Sequence, residues 1–257
     1  MNIKAVATFA ALLAVTAHSA AQATQVTFNE STCKTASVAG CSVKVDGVGY
    51  SANLNGWSAT KDANFSTASM VYYGGGGLGI TTKNESLANP QHATDNNGST
   101  EAFLINFGAL SVALNQVSIG WYSNDADISI LRYTGANPPV LGNSSVANLR
   151  KAEGWEFVGD FASLKPSSPL NFNTGTDAKT ASWWLVSAYN SGYSGKPAVS
   201  ALSGLSNGDD YFKLSGFGAM VADKVPPTND VPEPGSFALF GIAMLGFAAV
   251  RAKSKAK

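Results

Sequence analysis

Phe103-Leu104-Ile105-Asn106-Phe107 decides how the chain is read: large apolar side chains at 103, 105 and 107 are separated by Leu104 and Asn106. A period of two is that of a half-buried β-strand, whose successive side chains point to opposite faces. The period recurs further on. Val117, Ile119 and Trp121 alternate with Ser118 and Gly120, and Ile128 and Ile130 alternate with Asp127 and Ser129. Further strands are expected over 69–73, 78–82, 155–161, 181–189 and 211–221, with one short helix over 145–151. Asn96-Asn97-Gly98, 134–139 and Ser206-Asn207-Gly208-Asp209 supply the residues that turns require. Strands without regular intervening helices predict an all-β fold, an antiparallel β-sandwich or jelly-roll-like domain spanning 24–223.

Outward from this body, the two ends of the chain change character. Lys4, the apolar run 5–17 and the triplet Ala21-Gln22-Ala23 have the three-part form of a signal peptide, with cleavage expected after Ala23. Residues 224–235 are a Pro-rich linker that ends in Pro232-Glu233-Pro234-Gly235. An uncharged apolar run, 236–250, follows, and 251–257 carries Arg251, Lys253, Lys255 and Lys257. As a helix the run is about 22 Å long, short against a hydrocarbon core of about 30 Å. It is expected to be a short transmembrane helix with its basic flank, 251–257, held in the cytoplasm.

Charged residues make up 13% of the 257, and the formal net charge is zero. Both ends are basic, however. Trimming them leaves 12 basic groups against 16 acidic ones, about −4. No basic stripe is available to neutralise phosphates, so nucleic acid is not an expected partner.

Pro232-Glu233-Pro234, the short apolar helix and the basic terminus together resemble the PEP-CTERM sorting signal of Gram-negative bacteria that make exopolysaccharide. The resemblance implies an exosortase as processing partner: a membrane enzyme that cuts near the motif and releases or re-anchors the protein. The implied route is an exported precursor tethered to the inner membrane, then the cell surface or the extracellular space. The stretches 95–99, 119–121 and 125–130, with Gly154-Trp155, also resemble a group of exosortase-dependent surface proteins. That likeness implies a location and offers no catalytic residues to carry over.

Within the body, Cys33 and Cys41 are the only cysteines. In an oxidising compartment a disulfide between them would close a small loop at the end of a hairpin; the alternative is two free thiols. The run Gly74-Gly75-Gly76-Gly77-Leu78-Gly79 is followed by strand-like Ile80-Thr81-Thr82, not by the Lys-bearing helix of a phosphate loop. It is expected to be a turn between strands.

Two segments carry oxygen-rich chemistry: 92–98, and Asn124-Asp125-Ala126-Asp127 ahead of the strand at 128. Asp125 and Asp127, with Asp95, are the candidate metal ligands, and Ca²⁺ is the metal such hard oxygens suit. The competing reading is an Asx turn on an exposed strand edge. Trp183 and Trp184 are candidate glycan-stacking residues; in a strand the two point to opposite faces.

No catalytic set is recognisable, and the protein is not expected to be an enzyme. His18 leaves with the signal peptide, so a Ser-His-Asp triad would have to use His92. The expected function is that of a surface or matrix protein associated with exopolysaccharide in biofilm. The alternatives are a carbohydrate-binding module, Ca²⁺-stabilised, and a secreted hydrolase.

Overall fold

Strand β7, Ser99–Asn106, contains the opening stretch except for its last residue, Phe107, and lies within the path of paired strands between β12 (Trp183–Ala188) and β3 (Tyr50–Thr60). The computed structural model describes residues 24–27, 33, 40–45, 50–61, 63–83, 85, 90, 92–150, 154–194 and 204–221. The expected signal peptide, linker, membrane helix and basic tail lie outside these. Among the described residues no helix is long and apolar enough to cross a membrane.

Among the described residues thirteen strands form one curled sheet in which every strand-to-strand pairing is antiparallel. One layer runs β10 (Trp155–Phe161), β9 (Ile128–Tyr133), β12 (Trp183–Ala188), β7 and β3 (Tyr50–Thr60), with β2 (Cys41–Val45) also on β3. The other runs β5 (Leu78–Thr81), β13 (Asp210–Val221), β8 (Val112–Asn124) and β11 (Leu170–Asn171). In that layer β1 (Thr24–Thr27) and the two-residue β6 (Thr94–Asp95) pair with β13. Strand β4 (Ser66–Tyr72) joins the layers. Its first half pairs with β3 and its second half with β5.

Alternation explains the core between them. Leu54, Phe103, Ile105, Ile128, Ile130, Trp184 and Val186 from one layer share an apolar cluster with Ile80, Leu114, Val117, Phe212, Leu214 and Phe217 from the other. The Phe107 and Phe217 rings meet edge to face at 5.8 Å, and burying each such aromatic contributes about 2–3 kcal/mol.

Half-burial, expected for β7, gives way to burial on both faces. Its outward residues Ala102 and Leu104 join Leu131 and Leu185 under Leu141, Val146, Leu149 and Tyr193. These come from the loop after β9, from α1 (Val146–Leu149) within the expected helix region, and from α2 (Ser191–Ser194). The Gly-rich run is indeed a turn between β4 and β5. At Gly77, φ is +95° and an added Cβ would lie 2.3 Å from the Leu214 carbonyl oxygen, so glycine is required there. Cys33 and Cys41 form a disulfide with a Cα–Cα distance of 5.2 Å, at the start of β2.

Candidate functional site: an acidic end and an aromatic row

Asp125 and Asp127 lie in the link between β8 and β9, and Asp210 opens β13. Pairing of β13 with β8 places Asp210 opposite Asn124, and the Tyr211 N–H donates to the Asp125 carbonyl at 3.0 Å. One carboxylate oxygen from each of Asp125, Asp127 and Asp210 lies within 4.8 Å of the others. Asp127 and Asp210 are fully buried.

Backbone donors organise the group. The Asp127 carboxylate accepts the Ser163 N–H at 2.7 Å and the Ser206 N–H at 3.1 Å. The Asp127 N–H donates to Asp210 Oδ1 at 2.6 Å, and the Ala126 N–H to Asp125 Oδ1 at 2.8 Å. Asn96 completes the frame: its amide nitrogen donates to Asp210 Oδ2 and to the Tyr189 carbonyl, and its oxygen accepts the Asp210 N–H at 3.0 Å.

Burial dominates the electrostatics, raising the Asp127 carboxyl to about 6 and Asp210 to about 8. Among the described residues the ion pairs are Glu156 with Arg132 and with Lys179, so neither Asp is in a salt bridge. A carboxylate oxygen has two lone-pair sites, so one N–H on each leaves capacity for a further partner. The set can therefore hold a proton or a hard divalent cation; its all-oxygen chemistry fits Ca²⁺.

Asp95, grouped in the sequence with Asp125 and Asp127, takes another direction. Its Oδ1 accepts the Asn97 N–H at 3.0 Å in an Asx turn, and its own N–H donates to Glu101 Oε2 at 3.1 Å. Burial raises it to about 7, and the Glu85 charge adds to the rise. The 94–97 segment thus separates two acidic groups, with Asn96 serving one and Asp95 the other. Asp210, Glu85 and Glu101 escape the sequence reading, whereas Asn96 falls in the 92–98 segment it singled out. Glu101 was visible, since it shares the inward phase of Phe103 and Ile105.

The adjacent tryptophans separate as strand geometry requires. Trp184 is fully buried, its Nε1–H donating to the carbonyls of Val112 and Ala181, so no glycan can stack on it. Trp183 is partly exposed on the outer face. The register aligns Trp155, Tyr133, Trp183, Asn106, Asn53 and Ser42 across six strands. Directly paired residues face the same side, so these form one row. Tyr133 and Trp183 line a cleft of about 460 Å³ with Pro138 and Ser111.

His92 is placed beside a different group. Its Nε2 is 3.0 Å from Lys213 Nζ, and that ammonium lies 4.3 Å from the Tyr73 ring centroid and 4.2 Å from that of Trp121.

Comparison with known families assigns the tail: residues 230–253 match the PEP-CTERM protein-sorting motif. No curated protein and no solved structure matches the chain significantly.

Proposed function

We propose, with the PEP-CTERM sorting motif at 230–253 as the premise, that this protein is an exosortase substrate whose folded body is delivered to the cell surface or extracellular matrix. There it associates with exopolysaccharide and performs no catalysis. The single observation that carries the reading is the motif match; Pro232-Glu233-Pro234 falls within it. A disulfide between Cys33 and Cys41 agrees with an oxidising destination. In this reading residues 1–23 direct export, and 236–250 hold the precursor in the inner membrane until exosortase acts.

The test is fractionation of cells producing the full chain or a variant with Ala at 232, 233 and 234. The wild type is expected at the surface or in the medium and the variant in the inner membrane; identical distribution of the two would end the proposal.

A second reading, a carbohydrate-binding module, is favoured by the row from Tyr133 through Trp183 to Ser42, beyond the buried Trp155. Aromatic faces suit the C–H faces of sugars, and Asn106 and Asn53 supply donors and acceptors to hydroxyl groups. Trp183 replaces the Trp183–Trp184 pair as the stacking residue. In this reading Ca²⁺ at Asp125, Asp127 and Asp210 pins the β8–β9 link against β13.

A further inference from the structure

Ser58, Thr60 and Ser99 break the apolar phase of the inner face. Leu54 on β3 and Phe103 and Ile105 on β7 fill that phase with hydrocarbon, but further along the register sets Ser58 opposite Glu101 and Thr60 opposite Ser99. Strand β4 parts from β3 in the same region, residues 66–68 pairing with β3 and 69–72 with β5. A cavity of about 600 Å³ lies there, and its lining includes Ser58, Thr60, Ser66, Thr81, Ser99 and Lys83.

Three of these side chains are more than nine-tenths buried: Ser58 is 4% exposed, Thr81 8% and Ser99 9%. The Ser66 hydroxyl donates to the Ser58 carbonyl at 3.3 Å, yet among the described residues the hydroxyls of Ser58, Thr81 and Ser99 have no hydrogen-bond partner. A buried hydroxyl left without a partner costs free energy. Three of them on one cavity wall are donors and acceptors that a ligand can satisfy.

The lining selects the class of that ligand. Small-molecule sites typically have volumes of about 300–1,000 Å³, a range that includes this cavity, but here hydroxyls replace the usual apolar walls. Each hydroxyl both donates and accepts, which matches the hydroxyl groups of a sugar, whereas an apolar ligand would leave them bare. Lys83, which is exposed, is the one charged side chain on the lining, and Glu101 opposite Ser58 disfavours an anionic sugar.

We propose that this cavity binds a neutral mono- or disaccharide, as a site separate from the outer row that carries Trp183. Ser58, Thr81 and Ser99 hold the sugar hydroxyls, and Lys83 adds a donor. The outer row is open and suits a polymer; the cavity suits a small free sugar.

The test is calorimetric titration of the full chain in detergent with glucose, galactose, mannose, maltose and cellobiose, and with glucuronate for comparison. The proteins compared are the wild type, Ser58→Ala, Thr81→Val and Trp183→Ala. Saturable binding of at least one neutral sugar is expected, weakened about 10-fold in Ser58→Ala and in Thr81→Val and unchanged in Trp183→Ala. Glucuronate is expected to bind more weakly than the best neutral sugar. Thr81→Val keeps a β-branched side chain in a strand, so it decides the matter should Ser58→Ala misfold. Wild type that binds none of the neutral sugars or prefers glucuronate, binding that Thr81→Val leaves intact, or binding that Trp183→Ala abolishes overturns the site.

Discussion

The backbone N–H of Asp127 donates to the carboxylate of Asp210 at 2.6 Å, joining positions 83 residues apart in the chain. This contact holds the start of β9 against the start of β13 and lets two buried acids share one frame. Asp210→Ala removes the acceptor for both the Asp127 N–H and the Asn96 amide. A loss of roughly 2–4 kcal/mol in urea unfolding is expected, since each buried donor left unpaired costs about 1–3 kcal/mol. A change below about 0.5 kcal/mol would mean that the frame contributes little.

The raised carboxyls set the sign of the pH dependence. Asp127, Asp95 and Asp210 titrate at about 6, about 7 and about 8 in the folded protein, against a usual value of 3.8. Between those limits the folded state binds more protons than the unfolded one, so stability falls as pH rises. In EDTA, the Tm is expected to drop steadily from about pH 4 to about pH 8, and Ca²⁺ is expected to flatten the slope by replacing the protons. A Tm that rises across this window in EDTA would contradict the burial of these acids.

The tryptophan pair separates packing from binding. Trp184→Ala empties a site in the core and is expected to cost about 3–5 kcal/mol. Trp183→Ala is expected to leave the fold largely intact and to abolish saturable binding to the host's own polysaccharide. Equal destabilisation by both, or unchanged glycan binding in Trp183→Ala, would remove the outer row as a binding face.

Closing the short loop between Cys33 and Cys41 contributes about 2.5 kcal/mol by chain entropy. Replacing both cysteines by Ser is expected to lower stability by about that amount, read from urea unfolding of both proteins. Two variant residues with no loss of stability would show that the bridge is dispensable.

Period-two patterning made the architecture legible wherever one face of a strand met the core. It brought out the strands near 103–107, 117–121 and 128–130, as well as β10, whose bounds were anticipated in full. It did not bring out β3, where Asn53, Asn55 and Trp57 fall on the outer face and small Ala52, Gly56 and Ser58 accompany Leu54 on the inner one. The site was only half legible for a related reason. Asp125 and Asp127 stand two apart and are conspicuous, whereas Asp210 reaches them through strand pairing alone. Asp95 seemed to belong with them because a linear sequence does not show that its backbone N–H goes to Glu101 and its carboxylate to the Asn97 N–H.

The sorting tail bears the central claim, and intact mass spectrometry of the protein from native cells and medium tests it most directly, with wild type compared to an exosortase-deficient strain. The account predicts a wild-type product lacking residues 1–23 and cut near Pro232-Glu233-Pro234, and a tail left uncut in the deficient strain. An intact tail in both strains would contradict it and leave a protein anchored in the inner membrane.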